Sequence, residues 1–79
     1  MAREKSWKII FTFYTTTQAM KMETCARREG KAGRLIPVPR QISAGCGMAW
    51  MAPLEEKEEL QRFVLDEEIE TEGEYELFM

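Results

Sequence analysis

Cys46 is the residue of this 79-residue chain whose type and setting best suit covalent chemistry. It stands between Gly45 and Gly47, so neither neighbour has a Cβ atom that would restrict the backbone or shield the sulfur. The surrounding run, from residue 33 to residue 50, is GRLIPVPRQISAGCGMAW. Such a setting predicts a nucleophile or a group acceptor. The alternative is that both glycines serve only the turn and that Cys46 is a small buried apolar residue.

Several kinds of chemistry are excluded because the chain contains two cysteines and no histidine. It cannot supply the four Cys or His ligands of a structural zinc site. It also lacks the imidazole base that activates a Ser or Cys nucleophile. Cys25 and Cys46 are too far apart for a Cys-x-x-Cys redox motif. We therefore expect a protein that is not an enzyme and that holds no metal and no cofactor.

The length of the chain is enough for one small domain, which we expect to cover residues 1–79. No apolar run approaches the roughly 18 residues of a membrane span. The first residues, MAREKS, lack the apolar region of a signal peptide. We expect a cytoplasmic protein that does not contact membranes and whose thiols stay reduced.

Charge is divided unevenly along the chain. Residues 1–53 carry nine basic and three acidic side chains (9 − 3 = +6), and residues 54–79 carry two basic and eleven acidic ones (2 − 11 = −9). The acidic part is typical of a solvated helix face and an edge strand; the alternative is a docking surface for a basic partner. Nucleic-acid binding is not expected, because the pI is about 5.0 and the aromatic rings of Phe11 and Phe13 fall on the predicted core face.

Alternating apolar residues predict a first strand over residues 7–14, with Trp7, Ile9, Phe11 and Phe13 toward the core. Thr15 and Gln18 have the spacing of a capping box and predict the start of a helix. Gly30 suits its end. The spacing of three and four predicts that the core face of this helix consists of Ala19, Met22, Cys25 and Ala26.

The second half of the chain repeats this order. Pro37 and Pro39 restrict a second strand, over residues 33–40, to the edge of a sheet. A short apolar strand over residues 48–51 should be central, and Pro53 suits the first turn of a second helix. A half-exposed strand over residues 73–79 follows that helix. The predicted buried stripe of the second helix is Leu54, Leu60, Phe63 and Val64.

The order strand, helix, strand, strand, helix, strand predicts an α+β fold, the ferredoxin-like βαββαβ two-layer sandwich. Its antiparallel four-stranded sheet would have strands one and three at its centre and both helices on one face. The opposite face would expose Ile10, Thr12, Tyr14, Ala49 and Met51. Because that surface is largely apolar, we predict a homodimer through the open sheet face.

The run from Gly33 to Trp50, together with FTFYTTTQA over residues 11–19, resembles the family of selenium/sulfur carrier-like proteins. These are small bacterial and archaeal proteins, and the resemblance covers nearly the whole chain. The pattern GRLIPVPR followed by S-x-G-C-G is specific. The resemblance implies that Cys46 is the chalcogen acceptor. Its motif neighbours are Arg34, Pro37, Pro39, Arg40, Ser43, Gly45 and Gly47.

This resemblance implies a sulfur or selenium carrier. A cysteine desulfurase-like donor would pass a persulfide sulfur, or its selenium equivalent, to Cys46, and an acceptor protein would take it. Arg40 and Arg34 could favour the thiolate, since nearby cations lower a Cys pKa.

Two other hypotheses stay open. The chain could be a non-catalytic protein-binding or regulatory module in which Cys46 is structural. It could also be a thiol redox sensor, which would need Cys25 and Cys46 within disulfide range.

Overall fold

A computed structural model of the protein describes residues 4–42 and 47–79. The chain begins with strand β1 (Trp7–Thr12), helix α1 (Thr16–Glu29) and strand β2 (Arg34–Pro37). Strand β3 (Met48–Pro53) continues into a 3-10 turn (Leu54–Glu56) and helix α2 (Lys57–Asp66). Strand β4 (Gly73–Phe78) comes last.

The four strands form one antiparallel sheet in the order β2-β3-β1-β4. This order confirms the predicted ferredoxin-like α+β sandwich, with β1 and β3 at the centre and β2 and β4 at the edges. Proline explains the position of β2. Pro37 has no N–H to donate, so it is tolerated at the end of an edge strand and not inside a central one.

The main core lies between the sheet and the two helices. From the sheet it takes Ile9, Phe11 and Trp50, and from α2 it takes Leu60 and Phe63, all buried. The predicted core face of α1 is confirmed, since its buried residues are Ala19, Met22, Cys25 and Ala26. Both helices contribute to this cluster, so both cover the same face of the sheet.

One residue of the predicted β1 core face is not in the core, and another lies beyond the end of the strand. Trp7 was predicted to face the core, but it is exposed at the end of β1, where its ring meets the Phe78 ring edge-on at 5.6 Å between centroids. Phe13 is buried as predicted, although it lies one residue beyond the end of β1.

Helix α1 starts and ends at the predicted residues. Its N-cap is Thr15, whose Oγ1 accepts a hydrogen bond from the Gln18 backbone N–H at 3.2 Å. The reciprocal half of the capping box is not observed, because the Gln18 side-chain oxygen accepts from the Glu70 backbone N–H at 3.0 Å. Gly30 closes the helix with φ of 68°, a conformation in which glycine carries little strain.

The predicted position of Pro53 in a helix and the predicted length of β2 are both wrong. Pro53 is the last residue of β3 and precedes the 3-10 turn, so α2 itself begins four residues later at Lys57. Strand β2 has four residues, shorter than the predicted 33–40, because the chain leaves the ladder after Pro37.

The sheet face opposite the helices is partly covered by the chain itself. Ile42 packs there with Ile10 and Ala49 in a second buried cluster. Ile10 and Ala49 are therefore buried, and Thr12 is buried as well, whereas the prediction had all three exposed on an open face. Tyr14 is exposed as predicted, and Met51 is half-buried. The homodimer stays a prediction, but much of the apolar surface proposed for it is already buried within one chain.

Candidate functional site

The segment that joins β2 to β3 leaves the sheet and returns to it at one point. The last pair of the ladder aligns Pro37 with Met48. One step beyond it, the Val38 backbone N–H donates to the Gly47 carbonyl oxygen at 3.1 Å. This bond closes the base of the Cys46 loop, which we define as residues 39–46. The loop therefore starts and ends beside a central strand.

The first half of the Cys46 loop lies against the sheet. The Ile42 backbone N–H donates to the Pro39 carbonyl oxygen at 2.9 Å, which forms a turn. The side chain of Ile42 is only 7% exposed, on the face away from the helices. This packing anchors the chain immediately before the signature Ser-x-Gly-Cys-Gly. The predicted site residues Ser43, Gly45 and Cys46 lie outside the described residues.

The other predicted site residues lie along β2 and at the two ends of the loop. Arg34 begins β2 and Pro37 ends it, and both are exposed. Arg40 is exposed in the turn and Pro39 is half-buried. Gly47, which follows Cys46 in the chain, is exposed and has φ of 77°, a backbone conformation that favours glycine.

Two arginines, Arg34 and Arg40, lie in β2 and in the first half of the Cys46 loop. Within residues 4–42 and 47–79, neither Arg34 nor Arg40 makes an ion pair with a carboxylate. Arg28 on α1, by contrast, binds Glu29 at 2.9 Å and Glu67 at 2.8 Å, and these hydrogen bonds raise its pKa. The β2 edge therefore carries guanidinium groups that are available to an anion.

A comparison with protein families matches this chain over residues 8–76 to the family described as "Putative Se/S carrier protein-like". The chain belongs to this family. The match extends from β1 to β4 and includes the whole Cys46 loop, so it confirms the resemblance inferred from the sequence. No curated protein and no solved structure matches the chain.

The second cysteine of this Se/S carrier-like protein belongs to the core. Cys25 is 6% exposed, on the α1 face that packs against the sheet. This location confirms the predicted packing role. Burial also limits the access of other thiols or oxidants to Cys25, which weighs against the redox-sensor hypothesis.

Gly33 and Trp50 position β2 and β3, a role that was not identified from the sequence. Gly33 has φ of 112°, and a Cβ atom at this position would lie 2.4 Å from the Trp50 indole nitrogen. Trp50 Nε1 donates to the Ala32 carbonyl oxygen at 3.1 Å, which ties the start of β2 to β3. The glycine before an edge strand was the available signal. The partner across the sheet could not be identified from local sequence.

The described residues contain no group of three or more His, Cys, Asp or Glu side chains that could hold a metal ion. Neither of the helices among the described residues is long and apolar enough to cross a membrane.

Proposed function

We propose that the protein accepts sulfur or selenium on Cys46 and delivers it to an acceptor enzyme, acting as a carrier and not as a catalyst. The observation that carries this proposal is the family match over residues 8–76, whose description names a Se/S carrier. The burial of Cys25 supports the choice of Cys46, because a carrier thiol must be reached by two different enzymes in turn.

The loading step is a thiol–persulfide exchange. The Cys46 thiolate attacks the terminal sulfur of a persulfide on the donor enzyme. A new S–S bond forms at Cys46 as the donor S–S bond breaks, and the donor cysteine leaves as a thiolate. The proton of the persulfide stays with the transferred sulfur or is exchanged with water. No external oxidant is needed, because the oxidation level of the sulfur is carried over from donor to Cys46.

Unloading runs by the same chemistry. A nucleophile of the acceptor enzyme attacks the terminal sulfur and forms a bond to it, and Cys46 leaves as a thiolate, ready for another cycle. Selenium would follow the same path, with a selenium atom in place of the terminal sulfur.

The described surroundings of the loop support both steps. Arg34 and Arg40 are exposed and have no carboxylate partner in the described part of the chain. A guanidinium near a thiol favours the thiolate, which is the attacking species. The Val38–Gly47 hydrogen bond fixes the two ends of the Cys46 loop to each other beside the sheet, where a partner enzyme would bind.

The test is to incubate the protein with a cysteine desulfurase and L-cysteine and to measure the intact mass. We expect a gain of about 32 Da, one sulfur atom, that a reductant removes. Cys25→Ala should still gain this mass, and Cys46→Ser should not. Loading that survives in Cys46→Ser would refute the assignment.

A second measurement separates the carrier from a binding module in which Cys46 is structural. The rate of Cys46 alkylation should rise with pH through a midpoint below the ordinary thiol value of about 8.5. Arg40→Ala should move that midpoint upward. Slow alkylation without pH dependence near neutrality would favour the binding module.

A further inference from the structure

A cavity of about 330 Å³ opens on the sheet face opposite the helices, beside the Cys46 loop. We call it the sheet-face cavity. Ile36 of β2 and Met51 of β3 form part of its apolar lining, and Pro37 and Pro39 border it where the loop begins. Its volume falls at the lower end of the range of small-molecule sites, about 300–1,000 Å³.

The rim of the sheet-face cavity is cationic. Lys5, Lys8 and Arg34 line it, and Glu4 is the one acidic side chain among its described lining residues. Lys8 Nζ donates to Ser6 Oγ at 2.6 Å and to the Met79 carbonyl oxygen at 3.1 Å, so its ammonium group is held in place. Lys5 and Arg34 make no ion pair within the described residues.

Several other cations of this surface are instead paired with carboxylates. The chain has a net charge of −3, and other cations such as Arg28 and Lys57 contact carboxylates directly. Lys5 and Arg34, which make no ion pair within the described residues, lie at the border of an apolar cavity and so attract an anion that also has an apolar part. A guanidinium suits a carboxylate in particular, because its planar fork can donate two parallel hydrogen bonds.

The ladder register shows how such a ligand would lie. Arg34 is aligned with Met51 across β2 and β3, and Met51 is aligned with Ile10 of β1. A carboxylate on Arg34 therefore places an attached chain over Met51 and Ile36, away from bulk water. Each CH₂ group buried there strengthens binding, because apolar surface is removed from water.

We propose that the sheet-face cavity binds a small free carboxylate that bears a short alkyl or aryl chain, with Arg34 and Lys5 holding the carboxylate. This site does not depend on Cys46 chemistry. It also gives a role to Pro37 and Pro39 of the signature, because these rings form one wall of the cavity.

The experiment is a titration of the ¹⁵N-labelled protein with octanoate, followed by amide chemical shifts. We expect the largest shifts at Arg34, Ile36 and Met51. Acetate lacks the chain and octanamide lacks the charge, so both should bind at least about fivefold more weakly than octanoate. Added salt should weaken octanoate binding because part of the attraction is electrostatic.

Matched variants locate the carboxylate. Arg34→Gln should weaken octanoate binding about fivefold to tenfold, since a hydrogen bond to a charged group is lost. Arg27→Gln, which removes the same charge from an exposed position on α1, should not. Cys46→Ser should bind octanoate as the unaltered chain does, so that failure of the carrier proposal leaves this one testable. The amide spectrum of each variant verifies that it is folded.

Three outcomes would overturn the proposal. Octanamide could bind as tightly as octanoate, or Arg27→Gln could weaken binding as much as Arg34→Gln. An acetylated and amidated Leu-Glu dipeptide, which presents the same chemistry on a peptide, could bind more tightly than octanoate. That last result would assign the cavity to a protein partner instead.

Discussion

Gly33 and Trp50 are in contact across β2 and β3 in a way that leaves no room for a side chain at position 33. A Cβ atom there would lie 2.4 Å from Trp50 Nε1 and 2.6 Å from the Met51 carbonyl oxygen. Trp50 in turn hydrogen-bonds to Ala32, the residue before Gly33. The start of β2, which carries Arg34, is thus positioned by one glycine and one indole.

We expect Gly33→Ala to lower the free energy of unfolding by at least about 2 kcal/mol, because it combines an unfavourable φ of 112° with a steric clash. Gly30→Ala is the matched control. Gly30 also has a positive φ, 68°, but a Cβ atom at this position would have no neighbour within 4 Å. Its cost should be about 1 kcal/mol. Equal losses in urea denaturation would show that the Trp50 contact is unimportant.

Ile42 attaches the Cys46 loop to the sheet. Ile42→Ala removes a buried side chain from the second cluster, and we expect it to cost about 2 kcal/mol of unfolding free energy. Leu65→Ala deletes a similar side chain that is 77% exposed, and its effect should stay within about 0.5 kcal/mol. Denaturant melts of the two variants test this difference. A neutral Ile42→Ala would mean that the loop is held by other contacts.

Cys25 should be unreactive in the folded protein because its thiol is buried in the main core. In a Cys46→Ser variant, we expect iodoacetamide to leave the native protein unmodified over the time in which it fully alkylates the denatured protein. Intact mass is the measurement. Fast alkylation under native conditions would show that α1 opens readily, and would revive the possibility that Cys25 takes part in thiol chemistry.

Lys57 joins α2 to β4 through a short contact with Glu76, 2.6 Å between Nζ and Oε2. This hydrogen bond, and then the charge of Glu76, raise the pKa of Lys57 above its ordinary value of 10.5. Folding therefore favours the protonated amine. The resulting stabilisation is fully present below pH 10.5 and is lost as pH rises through the higher pKa of the folded state.

We expect Lys57→Gln to lower the denaturation midpoint slightly at neutral pH, since the pair is solvent-exposed and such pairs contribute little. The difference from the unaltered chain should shrink at pH values above about 10.5. Glu76→Gln, alone and combined with Lys57→Gln, completes a double-mutant cycle. A difference that stays constant across this range would exclude the ion pair as its source.

Much of this fold follows from local sequence. The spacing of Ala19, Met22, Cys25 and Ala26 identifies the core face of α1, because the side-chain period of a helix reports which side is buried. The alternation in β1 correctly places Ile9 and Phe11 toward the helices, although the opposite face of this strand is buried as well. The loss of a donor at Pro37 places β2 at an edge. These features depend only on neighbours along the chain.

The features that local sequence did not reveal are contacts between distant residues. The Gln18 side-chain oxygen accepts a hydrogen bond from the Glu70 backbone N–H instead of capping the start of α1. Ile42 packs against Ile10 and Ala49. Both involve partners far apart in sequence, so no spacing rule indicates them. The sheet-face cavity is a further example, since it joins residues near β1 with residues of β2 and β3. The assignment of Cys46 depends on its motif and on the family match.

The strand order has an electrostatic consequence. β2, with Arg34 and the neighbouring Arg40, lies at one edge of the sheet, and β4, with Glu74 and Glu76, lies at the other. The two edges therefore differ in charge, and the edge that leads into the Cys46 loop is the basic one. An acidic partner within about 8 Å, the Debye length at physiological ionic strength, exerts a torque that turns this edge toward it before any contact forms.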